Sequence, residues 1–472
     1  MSSSFFFYDL ETSGLNSRRQ RIMQFAGQRT DMKLQPIGKP INVLVKLSDD
    51  ILPDPQAALV TGITPQQTLN DGLSEAELSK LLSEKVFVED TITVGFNNVR
   101  FDDEFVRHTL WRNFYDPYEW AWKDGRSRWD LLDVVRMTRA LRPNGIKWPV
   151  NEEGAPVNKL ELLARENGLD HAKAHDALSD VEALIGLTKL IKSKQPQLYE
   201  YLLNLRDKRQ VAKVVDLKNP KPFVYSSGRY GKEFQHTTVA FPLSAGSNPN
   251  SVLVYDLRFD PAEIVGFSKD ELKKRLFATW KERQVTDFVP IPVKELTLNR
   301  CPAVAPLGVI KDDAAWQRLN LDLAKVKKHL KQLLKEDDLR VKLAAIFKER
   351  EAYPKSEDVE DQLYDGFMAD ADKLRLQAVR EASPEQLADL HPQFADKRLG
   401  KLLLRYKARN FPKSLNQDEQ TVWEEYRAKH LAASFPKFSA TLAELASQKT
   451  DESSLFILQE LQLWAESILP AD

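Results

Sequence analysis

The run FFFYDLETSG at residues 5–14 constrains this chain more than any other stretch of its length. Phe5, Phe6, Phe7 and Tyr8 read as a short buried strand that ends at Gly14. Side chains two apart on a strand leave the same face, so Asp9 and Glu11 emerge together at its end. Two further blocks carry matching chemistry. GFNNVRFDDEF places Asp102 after Phe101, where a helix begins, and AHDALSD places His175 and Asp180 at the start of an amphipathic helix. Taken singly, these read as a solvated strand end, a helix cap and an ordinary helix face. Taken together and in this order, the four acids converge as hard oxygen ligands that suit Mg²⁺ or Mn²⁺ rather than zinc. His175 adds a group whose ordinary pKa, about 6.5, suits a general base near neutral pH. Two metals about 3.5–4 Å apart with a base for water are the machinery of phosphodiester hydrolysis.

The 472 residues are enough for two or three domains, and 42% hydrophobic with 29% charged residues is the balance of a globular protein. No apolar run approaches the length of a membrane span, and MSSSFFFYDLE lacks the basic start of a signal peptide. Cys301 is the only cysteine, which excludes an intrachain disulfide and makes the cytoplasm the expected compartment. Its flank, NRCPAVAP, offers no base, so a buried structural thiol is expected. The net charge of −1 is unevenly spread. Residues 197–350 carry 28 Lys and Arg against 19 Asp and Glu, a net +9 between flanks at −3 and −7. A basic middle segment is what a carrier of a polyanion needs, and equally what a solvated basic surface shows.

Along the chain, FFFYDLE, QFAGQRTD, INVLVKL and TITVGFNN read as strands, and LSEAELSKLLSEKVF and HDALSDVEALIGLTKLIKSK as helices. The second helix stacks Ala177, Val181, Leu184 and Leu187 on one face, with Asp180 beside that stripe. Alternating strands and helices indicate an α/β domain over 1–196. After KNPKP, short β-like runs divided by Gly, Pro and Asn make 197–346 a small β domain with helical insertions. Its proline-rich pieces FVPIPVKEL and PAVAPLGVI suit edge strands. Residues 347–472 read as amphipathic helices. The segment RNFYDPYEWAWKDGRSRWD interleaves Phe114, Tyr115, Tyr118, Trp120, Trp122 and Trp129 with Arg112, Lys123, Arg126 and Arg128. Some of these aromatics must be core, while at least one could stack on a base. In KVKKHLKQLLK, Val326, Leu330 and Leu333–Leu334 mark an apolar face, and Lys327, Lys328 and Lys331 are either a DNA track or its solvent side.

The three acidic blocks resemble the exonuclease motifs of the DEDD superfamily, in the subclass with histidine in its last motif, on a ribonuclease H-like fold. The phrases VTGITPQ, NNVRFDDE, RNFYDPYEW, SRWDLLDV, ALRPNGI, LYDGFMADADK and LLLRYKARNFP extend the resemblance to the bacterial exonuclease I family over nearly the whole chain. The resemblance implies an SH3-like barrel in the middle and an all-α C-terminal domain. It implies Asp9, Glu11, Asp102 and Asp180 as ligands of two Mg²⁺ ions, replaceable by Mn²⁺, with His175 as general base. Thr12 matches a contact to the terminal nucleotide, and Arg126 and Arg128 are candidate substrate contacts together with Glu11. It implies 3′→5′ degradation of single-stranded DNA to 5′-mononucleotides in repair and recombination, by a monomer. It implies a partner too, the single-stranded DNA-binding protein, whose acidic tail would meet Arg142, Tyr201 and Lys221. The family pattern has aromatic residues around Glu and Thr of the first motif. Here Leu10 and Ser13 stand instead, so stacking of the last base by those positions is not expected to carry over.

The motifs alone do not choose the sugar, so an exoribonuclease shares this chemistry. A non-catalytic nucleic-acid-binding protein on a nuclease scaffold is the other alternative. Four clustered, mutually repelling acids argue against it, because binding without catalysis has no need of them.

Overall fold

The aromatic run becomes the middle strand of a sheet, β1 (Ser4–Thr12). Phe5, Phe6, Phe7 and Tyr8 are all at most 2% exposed, which requires cover on both faces of the sheet. The chain is described here by a computed structural model covering residues 3–169, 176–284, 286, 288–350 and 354–470. β1 pairs antiparallel with β2 (Ile22–Thr30), and β2 with β3 (Ile41–Leu44). On its other side β1 pairs in parallel with β4 (Thr91–Gly95), and β5 (Ser127–Asp130) completes the order β3-β2-β1-β4-β5. The Phe6 ring closes on β2 at Gly27, where a Cβ would lie 2.3 Å from the ring. Only glycine fits there.

A parallel neighbour needs a crossover. The chain supplies it with short helices at Pro55–Thr61, Pro65–Asp71 and Glu75–Leu81, capped by Asp54, Thr64 and Ser74. The four early strands and both helices expected from the sequence are present, the second as Ala177–Lys194 with Ala177, Val181, Leu184 and Leu187 buried.

From Lys373 onward the described chain is helical, ending in Arg398–Asn410, Gln417–Gln448 and Glu452–Ile468. These helices share cores with the nuclease fold. Trp111 and Phe114 pack with Val359, Leu363, Leu399, Leu402 and Tyr406. Leu47, Ile51 and Ala58 pack with Leu431, Phe438, Leu461 and Trp464, whose indole N–H donates to the Ile51 carbonyl at 2.9 Å. The described residues of 1–128, 171–185 and 354–472 accordingly form one compact unit, and those of 129–170 and 186–353 a second.

The second unit holds an antiparallel sheet of β6 (Phe223–Ser226), β7 (Thr237–Ala245), β8 (Ser251–Asp256), β9 (Val293–Thr297) and β10 (Ala303–Pro306), in the order β10-β6-β7-β8-β9. The two proline-rich segments supply both edges, as proline's missing N–H dictates. The helix Leu323–Leu333 buries Val326 and Leu333. Two details of its expected face differ. His329, not Leu330, is the buried residue between them, with Nδ1 2.9 Å from the Leu257 carbonyl. Leu334 lies past the last turn and is 48% exposed. Cys301 is half-buried rather than buried. It sits at φ +48° in the turn between β9 and β10, and that turn carries it toward the surface.

No helix among the described residues is long and apolar enough to cross a membrane.

Candidate active site

β1 carries Asp9 opposite Ala26 and Glu11 opposite Gln24, and the register then slips between Glu11 and Thr12. This bulge slips the register by one residue just after the second acid, with Thr12 still paired to Ile22 of β2. The helix Ala177–Lys194 brings Asp180 to the same place. One carboxylate oxygen each from Asp9, Glu11 and Asp180 lie within 4.8 Å of one another. Asp102 opens the helix Asp102–Arg112 and is 4% exposed. Its charge is near enough to raise both strand acids. Asp9 is held well above the ordinary carboxylate range, first by burial and then by Asp102, Asp180 and Glu11. Glu11 is pushed up to about 8 by burial, with Asp180, Asp102 and Asp176 adding to it.

Divalent cations are the counter-charge that lets such acids ionise together, and four carboxylates are a donor set of hard oxygens. The residues therefore fit Mg²⁺ or Mn²⁺. His175 lies outside the described residues. Its chain neighbour Asp176 accepts from the Gln24 amide at 3.2 Å and from the Ser179 N–H at 3.3 Å, so it caps the helix of Asp180 and adds charge beside Glu11.

Sequence reasoning missed Asp176, although an Asp directly before a helical run is a capping signal. It also missed the clamp behind Asp102. Asp103 is fully buried and pairs with Arg128 at 2.5 Å, accepts from the Asn98 amide at 3.2 Å, and accepts from the Tyr8 hydroxyl. Asn98 fits because residue 95 is glycine, where a Cβ would fall 2.5 Å from the Asn98 Cβ. These partners fix the first turn of the helix that presents Asp102.

The other expected contacts are placed as follows. The Thr12 hydroxyl donates to the Gly14 carbonyl at 2.9 Å. Arg128 is 8% exposed and engaged with Asp103. Arg126 donates to the Lys123 and Phe87 carbonyls at 2.6 and 3.0 Å and pairs with Asp124. Of the interleaved aromatics, Phe114, Trp120 and Trp129 are core, whereas Trp122 is 65% exposed. In the second unit, Arg142 donates to the Val309 carbonyl at 3.2 Å and Tyr201 to the Val304 carbonyl at 3.1 Å. Lys221 is exposed just before β6, whose partner is β10. The three thus gather around β10 and the turn that follows it.

Comparison with known proteins agrees with this geometry. Residues 6–188 match the exonuclease family, 206–349 the exonuclease I SH3-like domain and 357–468 the exonuclease I C-terminal domain. Exodeoxyribonuclease I of Escherichia coli K12 is 39% identical over 470 residues, covering 99% of this chain and 98% of that protein. The crystal structure of E. coli exonuclease I with a dA16 oligonucleotide superposes with a TM-score of 0.96 at 39% identity, covering 99% of this chain and 100% of that one. A zinc-bound form of the E. coli exonuclease I–single-stranded DNA complex superposes with a TM-score of 0.95 at 38% identity, covering 99% and 100%. The nuclease, SH3-like and helical parts expected from the sequence are all matched in order, and divalent-metal use is supported by the acidic cluster and the zinc-bound relative. Matched along nearly its whole length and in each of its parts, this chain belongs to the exonuclease I family.

Proposed function

We propose that the protein hydrolyses single-stranded DNA from its 3′ end and releases 5′-mononucleotides. The convergence of Asp9, Glu11 and Asp180 within 4.8 Å, with Asp102 beside them, carries this reading. Its substrate is supported by relatives solved with DNA oligonucleotides. Asp9, Glu11, Asp102 and Asp180 would hold two Mg²⁺ ions. When bound, the metal supplies Lewis-acid polarisation of the scissile phosphate and stabilises the leaving 3′-oxygen. His175, next to the capping Asp176, takes the proton from the attacking water. Thr12 and the bulge after Glu11 lie where a terminal nucleotide would meet the strand end.

The division into a nuclease part at 1–196, a β part at 197–346 and a helical part at 347–472 is supported by the three matched family ranges. Arg142, Tyr201 and Lys221 around β10 would receive the acidic tail of the single-stranded DNA-binding protein. Action as a cytoplasmic monomer in DNA repair rests on the family resemblance.

The test compares 3′- and 5′-labelled DNA and RNA oligonucleotides, single- and double-stranded, in Mg²⁺ and in excess chelator. Loss of the 3′ label first, from single-stranded DNA only and only with metal, is expected. Equal attack on RNA or blunt duplex would overturn the substrate, and turnover in chelator would overturn the metal mechanism.

A further inference from the structure

The loop that closes the first acidic motif has no apolar anchor of its own. Leu15, its one large hydrophobic residue, is 82% exposed. Polar contacts hold the loop, first at its two ends. The Ser13 N–H donates to the Arg21 carbonyl at 2.9 Å, and the Arg21 N–H donates to the Ser13 hydroxyl at 2.9 Å. Ser13 stands two residues after Glu11, directly beyond the bulge. The Ser13 carbonyl also accepts from the Asp54 N–H at 2.7 Å, so Arg21 and Asp54 together fix the residue just beyond β1.

Arg21 is in turn fixed from far along the chain. Its guanidinium pairs with Glu360 at 2.9 Å, both side chains at most 5% exposed. Glu360 also receives Arg409 at 2.6 Å and Arg405 at 3.1 Å, and Arg409 continues to Asp50 at 2.6 Å. Arg19, on the same loop, pairs with Asp361 at 2.6 Å and Asp358 at 3.1 Å. The segment carrying these acids is seated on the nuclease fold, with the Trp111 indole donating to the Val359 carbonyl at 3.1 Å. Tyr364 donates to Glu104, two residues from Asp102 on the same helix. Segment 358–364 thus touches the loop of the first motif and the helix of the second.

A buried ion cluster adds little net stability compared with apolar packing of the same volume. What it adds is geometry, since a planar guanidinium shared between two fixed acceptors tolerates little displacement. Arg21 gives one N–H to Glu360 and another to the Gln20 carbonyl at 3.3 Å. Metal ligands need that geometry, and partners one shell out from them govern metal affinity.

We propose that Glu360 is a positioning residue of the nuclease site: through Arg21 it holds the 13–21 loop, and with it the bulged strand end that carries Glu11. This rests on the nuclease reading above. The C-terminal part of the chain is then needed for metal binding and chemistry.

The test uses the full chain with Glu360→Gln, Glu360→Asp and Arg21→Lys. Three quantities are read: Mn²⁺ binding without DNA by electron paramagnetic resonance, kcat and KM on 3′-labelled single strands, and thermal unfolding. Glu360→Gln should weaken Mn²⁺ binding and lower kcat by about tenfold or more, with KM changed less than about twofold. Glu360→Asp should recover part of both. A folded Glu360→Gln protein with Mn²⁺ affinity and kcat within about twofold of wild type would overturn the proposal, since a purely structural pin moves only the unfolding temperature. Should Glu360→Gln fail to fold, Arg21→Lys decides. It keeps the charge but loses the planar guanidinium that serves both Glu360 and the Gln20 carbonyl, and unchanged Mn²⁺ affinity and kcat in it overturn the proposal equally. A wild-type protein that binds Mn²⁺ yet cleaves no single strand would overturn the nuclease reading instead, leaving the Mn²⁺ comparison to judge Glu360.

Discussion

Asp102 and Asp103 are neighbours on one helical turn with different surroundings. Asp102 faces the other acids, whereas Asp103 is enclosed by Arg128, Asn98 and Tyr8. Substitutions should separate them. Asp180→Ala or Asp9→Ala should abolish cleavage while leaving unfolding nearly unchanged or slightly later, because a crowded like charge is removed. Calorimetry alongside a nuclease assay checks this, and a marked loss of stability would point to a structural role. Arg128→Gln should behave oppositely. It strands a buried carboxylate and should cost about 3–5 kcal/mol of folding free energy, read from denaturant unfolding. His108 gives a third case. It is 1% exposed, and burial, with Arg112, Arg18 and Arg21 nearby, lowers its pKa to about 3. The unfolded state takes up the proton near pH 6.5 and the folded state only near 3, so the contribution of His108 to stability falls as pH drops through that window. The full span is worth roughly 5 kcal/mol. Relative to wild type, His108→Gln should gain stability in urea unfolding as pH falls from about 6.5 to 4.5, and an unchanged slope would acquit His108.

The strands were legible because aromatic and β-branched runs with Gly or Pro ends leave few other readings, and proline even marked the edge positions of β9 and β10. The acids of the site were legible because each sits where a strand ends or a helix starts. The Asp103 clamp was not, since its partners lie 95 and 25 residues away along the chain. Nor was segment 356–361, whose SEDVED reads as a solvated acidic run although Glu360 is 3% exposed. Burial of a charge is decided by partners that local pattern does not display. The helix Leu323–Leu333 keeps one choice open that binding can settle. Lys327, Lys328 and Lys331 are all exposed, with Lys328 3.3 Å from Asp260. If they carry phosphates, replacing all three with Ala should make the salt slope of long single-strand binding shallower by about 2. An unchanged slope in titrations over salt would make them a solvated helix face.

At the scale of the molecule, acid should act on several groups in sequence. Burial alone would raise Asp50, but Arg409 and Arg21 outweigh it and hold its carboxyl at about 2. Burial would likewise raise Glu360, yet Arg409, Arg21 and Arg405 hold it well below the usual carboxylate range. Both pKa values are depressed in the folded state, so their stabilisation is full above about pH 4–5 and is lost as pH falls toward the folded values. In the metal-free protein the loss through His108 between about pH 6.5 and 4.5 is opposed by Glu11 and Asp9. Their raised pKa values make the folded state take up protons there, so the steep loss should begin only below about 4. A marked loss of stability already between about pH 6.5 and 4.5 would contradict that order. The pairing of Trp464 with Ile51, 413 residues apart, has a consequence during synthesis. The first 128 residues cannot close their cores until the last hundred have left the ribosome. At about 5–20 residues per second that delay lasts tens of seconds. Throughout it, Leu47, Ile51, Trp111 and Phe114 lack their final cover. The nascent chain is then an exposed client for chaperones, and slow codons placed late in the message would lengthen its exposure.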